Sequence, residues 1–524
     1  MIRLNLRSHR FAAWIAFVVS GLWVSVVTSG SEAWAGDFHL PQPTIETLPN
    51  GLKLAWFVSD QLPLVDLTLM IKAGYKNDPA GKSGTAELLS NALDRGTSTM
   101  SAQAISKAIE LLGAARARAV NDDSFTLGLH GLSQDTAALT ELLAKLALEP
   151  AFNEADLTRE HDRIQDEWRH VADSADSLSS LVYSRLVSSQ TVYGRGGFLS
   201  ADEFKHVTRA DVLAYYQKYF RPDNAVLMIV GRVKPAELRS MIVARFGAWK
   251  GAALASDPTV GSVTAPVADK MTRTAGRRGG RQIRPQLAPS ASVESSVSSV
   301  TAVYSDARIK AFIKPGHAIL LVDRPDATQT QVRIGFRAPL ITSPQHHALT
   351  VGNALTGEYF NSRLNSVVRD KLGLTYAINS GMTYAKDAAY FSVAAATRNE
   401  AVGKLLQTVQ AILKDLQGGD VSDEEVQMAR EYITGSFPLA LSTLNAVASR
   451  WLGGESFGIG QDYLLEYVDR IRKVTREDVV RALKENFHPD DAYVVVVGDS
   501  TTILAGLSPA QKKLVKKIEL KDIL

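Results

Sequence analysis

The 524-residue chain has no cysteine, which excludes a disulfide framework, thiol chemistry and any Cys-ligated metal. Histidine is scarce too. The ten are His9, His39, His130, His161, His170, His206, His317, His346, His347 and His488. None falls into an H-x-x-E-H, H-E-x-x-H or H-x-x-x-H spacing, so no helix offers the paired imidazoles that hold zinc. His161 and His170 share a predicted helix but are out of phase and read as surface or partner-contact residues. Charge of one sign is also missing: 58 Lys and Arg stand against 55 Asp and Glu, a net of +3. Removing residues 1–35, with three Arg and one Glu, leaves +1. The stretch Asp269 to Arg284 carries six positive charges against one negative, so the remainder is about −4. Such domains lack the concentrated basic face that nucleic-acid binding requires.

Long apolar runs are confined to the N-terminus. Arg3, Arg7 and Arg10 precede "FAAWIAFVVSGLWVSVV", and Ala33-Trp34-Ala35 supplies a small-x-small cleavage pattern. Residues 1–35 therefore read as a secretory signal cut after Ala35, implying a soluble, exported and periplasmic mature protein. An uncleaved tether is the alternative, and it is the one route to membrane contact.

A hydrophobic content of 45% is enough for two or more cored domains. The chain is duplicated. "VTRADVLAYYQKYFRPDNAVLMIVG" (Val207 to Gly231) aligns without a gap on "VTREDVVRALKENFHPDDAYVVVVG" (Val474 to Gly498) at an offset of 267. Each copy predicts a helix with Thr at its N-cap, a Pro-Asp turn and a buried strand ending at Gly. Paired strand signals open each half, so the fold class is α+β, with mixed or antiparallel sheets covered by helices. The domains read as 37–252 and 308–509, with a flexible basic linker at 253–307 and a tail at 510–524. The linker's arginines read as a solvated tether or as a contact for an anionic surface.

"SGTAELLSNALDRGT" (Ser83 to Thr97) predicts a short amphipathic helix. Ala86, Leu88, Leu89, Ala92 and Leu93 form its apolar side, and Glu87, Ser90, Asn91 and Asp94 form a polar face that reads as solvated.

The Gly84-Thr85-Ala86 and Gly96-Thr97 frame around this helix, in a duplicated α+β chain, resembles the M16 metallopeptidases, the pitrilysin and mitochondrial processing peptidase group. The resemblance implies two homologous clam-like halves. It places Glu87, Ser90 and Asn91 at the His, Glu and His of the H-x-x-E-H zinc motif. Serine does not serve as a general base on water, and a neutral asparagine is a poor zinc ligand. Glu167, 76 residues after Asn91, matches the third ligand, and Glu160 a second acidic residue. These are degenerate zinc-site positions, and no cofactor is expected in this chain; a hard cation between Glu87 and Glu167 is a minor alternative.

In the second half, "FNSRLNSVVRDKLGLTYAINSGMTY" (Phe360 to Tyr384) resembles the family segment whose Arg and Tyr reach toward the zinc. Those positions are Arg369 and Tyr376, suited to gripping a substrate carbonyl and donating to a developing oxyanion. Loss of the metal site with retention of this clamp implies a non-catalytic subunit of a heterodimeric peptidase. The partner would carry H-x-x-E-H and zinc, and short or unfolded polypeptides would be the substrate. The alternative is a non-proteolytic scaffold or peptide-binding protein; an enzyme acting alone on Glu87 and Glu167 is the third. Ala115 to Gly131 is a candidate edge strand for added substrate. Trp451 to Gly460 reads as either a mobile loop or a turn between helices.

Overall fold

The computed structural model describes residues 40–189, 191–195, 201–250, 316, 318–325 and 327–519. The predicted signal segment and the 253–307 linker lie outside these residues.

Two six-stranded sheets carry the two halves. The first holds β1 (Thr44–Thr47), β2 (Lys53–Val58), β3 (Leu64–Ile71), β4 (Ala115–Val120), β5 (Phe125–Leu132) and β6 (Ala225–Gly231), in the order β1-β2-β6-β3-β5-β4. The second holds β7 (Ile319–Asp323), β8 (Thr330–Ala338), β9 (Thr375–Tyr384), β10 (Ala389–Thr397), β11 (Tyr493–Gly498) and β12 (Val515–Ile518), in the order β12-β7-β11-β8-β10-β9. Each sheet is antiparallel except where the strand closing the repeat lies parallel to the opening strand, β6 on β2 and β11 on β7, and where β12 adds parallel to β7. The segment expected as a tail from 510 thus supplies an edge strand of the second sheet.

The helices of the first half are α1 (Thr85–Ala92), α2 (Ala102–Leu111), α3 (Thr136–Leu148), α4 (Glu154–Asp173), α5 (Ala175–Ser188), α6 (Arg209–Tyr219) and α7 (Pro235–Phe246). Those of the second are α8 (His346–Asn353), α9 (Val402–Gly418), α10 (Asp423–Ala440), α11 (Leu444–Phe457) and α12 (Arg476–Asn486), with shorter helices between. Among the described residues no helix is long and apolar enough to cross a membrane.

The repeat is built as its sequence dictates. Thr208 and Thr475 each close a reciprocal capping box with an aspartate three residues on, Asp211 and Asp478, satisfying backbone donors that a helix start leaves open. Pro222 and Pro489 open the following turns. The β-branched strands behind them are buried in the cores. Gly231 is obligatory: its φ is +114°, and a Cβ there would overlap the Leu64 carbonyl, a conformation glycine alone adopts without strain.

The halves are joined by an exchange of equivalent helices. α5 leaves the first half and packs on the second sheet, burying Leu178, Leu181, Val182 and Leu186 against Leu320, Val322, Val495 and Val497. Tyr183 there donates its hydroxyl to the Phe391 carbonyl at 2.7 Å. It reaches that carbonyl because Gly335 has no side chain in the way. Reciprocally, α11 sets Trp451 edge-on to Phe57 of β2, 5.9 Å between centroids, and Glu455 accepts from Lys53 at 2.8 Å and Lys72 at 3.1 Å. The stretch from Trp451, expected as loop or turn, is therefore mostly helix. Gly458, at φ +73°, ends it.

A second polar tie lies between the turns of the two sheets. The buried Asp123 carboxylate takes Lys76 Nζ at 2.5 Å, the Tyr193 hydroxyl at 2.9 Å and the Lys386 backbone N–H at 2.7 Å.

Candidate functional site: a helix face closed by arginines

α1 starts at Gly84, whose φ of +92° and missing side chain leave the helix without an ordinary N-cap. Asp78 supplies one from a distance. Its buried carboxylate accepts the Gly84 N–H at 2.7 Å and the Ala86 N–H at 2.8 Å, where the helix dipole favours negative charge. Burial pushes the Asp78 carboxyl up to about 7, against the pull of those two N–H groups.

The polar face of α1 is not solvated, contrary to its amphipathic pattern. Ser90, Asn91 and Asp94 are 3%, 4% and 2% exposed. Glu87 is used within the protein: one carboxylate oxygen accepts the Tyr75 hydroxyl at 2.6 Å, the other the Asn91 amide at 2.7 Å. Burial and the neighbouring Glu87 hold the Tyr75 phenol well above its ordinary value.

Asn91 Oδ1 is the meeting point of two guanidinium groups. Arg163 of α4 donates to it through Nη2 at 2.6 Å, and Arg118 of β4 at 2.8 Å. Arg163 also binds Glu160 through Nε at 2.8 Å and pairs with Glu167 through Nη1. The three degenerate positions Asn91, Glu160 and Glu167 are thus gathered around one side-chain cation. Outside them, Glu160 takes Arg95 at 2.6 Å. Asp94, with no exposed side-chain surface, is held by Arg116 at 2.5 Å and Arg118 at 3.1 Å. Burial lowers the Arg118 guanidinium's hold on its proton despite Asp94. For Arg163 the same burial is outweighed by Glu160 and Glu167, and its hold rises.

Sequence reading found the acceptors and missed the arginines. Their signals were present: Arg163 stands three residues after Glu160 and four before Glu167 on one helix, and "ARAR" puts Arg116 and Arg118 on one face of β4. Glu87 and Glu167 are not brought together as a cation pair, since each is engaged elsewhere. Among the described residues no group of three or more His, Asp or Glu is arranged for a metal. His161 stacks on Phe204, 4.3 Å between centroids, with a ring nitrogen 3.0 Å from its carbonyl. His170 is exposed beside Asp173.

Arg369 and Tyr376 sit apart from this network, with no hydrogen bond or ion pair to it among the described residues. Arg369 lies in the helical turn Asn365–Lys371, pairs through Nε with Asp370 at 2.8 Å and stacks its guanidinium 3.7 Å above the Phe360 ring. The Asp370 carboxylate strengthens its hold on the proton, and Tyr376 lies close enough to contribute. Tyr376, on β9, is 95% exposed. An aromatic side chain so placed takes no part in the core. β4 is an edge strand, as expected, while the rest of that stretch, β5, lies inside the sheet.

Two sequence models of one family match the chain. The model described as Insulinase (Peptidase family M16) covers residues 57–194, and that described as Peptidase M16 inactive domain covers 206–433. Similar proteins include an uncharacterized zinc protease of Mycobacterium leprae, 24% identical over 438 residues, spanning 83% of this chain and 86% of that protein. A crystal structure from Pseudomonas fluorescens, a peptidase M16 inactive domain, aligns with a TM-score of 0.70 at 20% identity, over 87% of this chain and 98% of that one. A protease structure from Helicobacter pylori aligns with a TM-score of 0.67 at 19% identity, over 87% and 100%.

Proposed function

Because the chain belongs to peptidase family M16, we propose that it is the non-catalytic, substrate-binding subunit of an exported heterodimeric M16 peptidase. One observation carries the reading: the Arg163 guanidinium stands among Asn91, Glu160 and Glu167. A fixed positive charge bound to those acceptors opposes a dication there, and Ser90 supplies no base to activate water. The donor set does not suit zinc, and the metal and base belong to a partner bearing H-x-x-E-H.

What this chain brings is Arg369 and Tyr376. The tyrosine hydroxyl donates to the oxyanion formed on the substrate carbonyl, and the arginine fork holds a neighbouring carbonyl or carboxylate. The exposure of Tyr376 suits a role across a subunit boundary. Polypeptide substrates would add along a free sheet edge such as β4.

The test is a pull-down of the tagged chain from its native envelope fraction, with the co-purifying protein sequenced. A stoichiometric partner carrying H-x-x-E-H is expected. Recovery of the chain alone, or with non-peptidase membrane-complex subunits, would replace this reading with a scaffold role.

A further inference from the structure

The second half has its own counterpart of the arginine-filled site. "SNAL" of α1 recurs as "GNAL" in α8, pairing Asn91 with Asn353 at an offset of 262 residues, and the same offset pairs Arg118 of β4 with Ser380 of β9. Ser380 donates to Asn353 Oδ1 at 2.9 Å, as Arg118 does to Asn91. Serine is short, and where the first half is filled by guanidinium the second keeps a cavity of about 580 Å³. Such a volume falls in the range of small-ligand clefts, ~300–1,000 Å³.

Its walls are aromatic, with Trp451, Phe457, Tyr463 and Tyr467 among them. His346 adds a ring that is 4% exposed; one nitrogen meets the Tyr463 hydroxyl at 2.7 Å and Nδ1 has no hydrogen-bond partner. Two opposite charges share the lining. Glu358 is exposed at the cavity rim and accepts from Asn353 at 2.9 Å. Arg450 is exposed and makes no hydrogen bond or ion pair among the described residues. One wall is formed by Ser380, Gly381 and Met382 of β9, which is the edge strand of its sheet, so its outer side lacks a strand partner there.

We infer that this cavity binds the aromatic C-terminal residue of an extended polypeptide, its ring among the aromatic walls and its free carboxylate on Arg450. Glu358 offers an acceptor for that residue's N–H, and the β9 edge guides the preceding backbone. The inference rests on the subunit reading only in taking a polypeptide end, and no free aromatic acid, as the occupant.

The test is calorimetric titration of the purified chain with a heptapeptide ending in phenylalanine, the same peptide as its C-terminal amide, and N-acetylphenylalanine. The acid peptide should bind, with its amide at least ~10-fold weaker, and Arg450→Gln should erase that difference. Gly453→Phe fills the cavity from a position where an added Cβ meets nothing within 4 Å. It should abolish binding with an unchanged melting curve. Equal binding of acid and amide, absence of binding, or binding that survives Gly453→Phe would overturn the proposal. N-acetylphenylalanine binding as tightly as the peptide would overturn the polypeptide assignment. No peptidase is present in this titration, so its failure leaves the pull-down result standing. A lone chain in the pull-down that still binds the acid peptide would overturn only the subunit reading.

Discussion

Restoring the zinc motif alone should not restore the zinc site. The triple variant Glu87→His, Ser90→Glu, Asn91→His supplies two imidazoles and a base on α1, with Glu167 as third ligand. Arg163 still holds Glu160 and Glu167, and its Nη2 lies 2.6 Å from the present Asn91 oxygen. A zinc ion bound by a histidine at 91 would then sit about 5 Å from the guanidinium. The repulsion between charges of 2 and 1 at that distance is about 7 kcal/mol at an effective dielectric of 20, and about 2 kcal/mol with full water screening. Adding Arg163→Leu should therefore tighten zinc binding at least ~15-fold. Glu160 keeps Arg95 as its partner in either variant. Competition with a chromophoric chelator reads both affinities. Equal affinities for the triple and quadruple variants would refute the argument that Arg163 is what closes this site.

Other consequences concern the junction between halves and the second-half cavity. Asp123→Ala leaves the Lys386 N–H without its acceptor and the Lys76 ammonium and Tyr193 hydroxyl with only the more exposed Asp387 carboxylate and should cost about 2 kcal/mol in urea unfolding; a loss below about 0.5 would show that this tie is dispensable. Gly335→Ala places a Cβ on the Phe391 carbonyl and the Tyr183 hydroxyl, whereas Gly381→Ala meets nothing within 4 Å. The first should lower the melting temperature sharply and the second little, and similar losses would contradict the helix exchange. Burial holds His346 near 3 and His347 near 4, each below the ordinary 6.5. At these two positions the unfolded chain then binds protons that the folded one refuses, so the histidines' contribution to stability falls as pH drops from about 6.5 toward 4, opposite in sense to that of the raised Asp78 carboxyl. For His346 this amounts to about 2 kcal/mol at pH 5. His346→Gln should therefore lessen the loss of melting temperature between pH 6.5 and pH 4 relative to the natural chain, and an unchanged slope would contradict it.

The duplication, the strand pairs and the capping threonines were legible because they rest on local pattern: turn prolines, β-branched runs and a three-residue cap. The α1 face was misread because periodicity separates apolar from polar and cannot separate solvent from a salt-bridge network. What covers Asn91 is Arg163, 72 residues later. The helix exchange was equally hidden, since α5 buries its apolar residues on strands more than 130 positions away, and nothing in its own sequence names that partner. Edge strand β4 was readable, whereas Trp451 to Phe457 misled because its paired glycines suggested a loop, although tertiary packing against β6 holds it helical. For Arg369 and Tyr376 the sequence supplied candidates and the structure their settings, one guanidinium stacked and paired, one phenol in solvent.

The most direct measurement is peptide turnover by the proposed complex of this chain with an H-x-x-E-H partner, comparing the natural chain with Arg369→Ala/Tyr376→Phe at equal complex concentration confirmed by gel filtration. Loss of transition-state donors from a site of this kind is worth on the order of 10²-fold in kcat. The account predicts a drop of that size with assembly intact. Unchanged turnover by the double variant would contradict it.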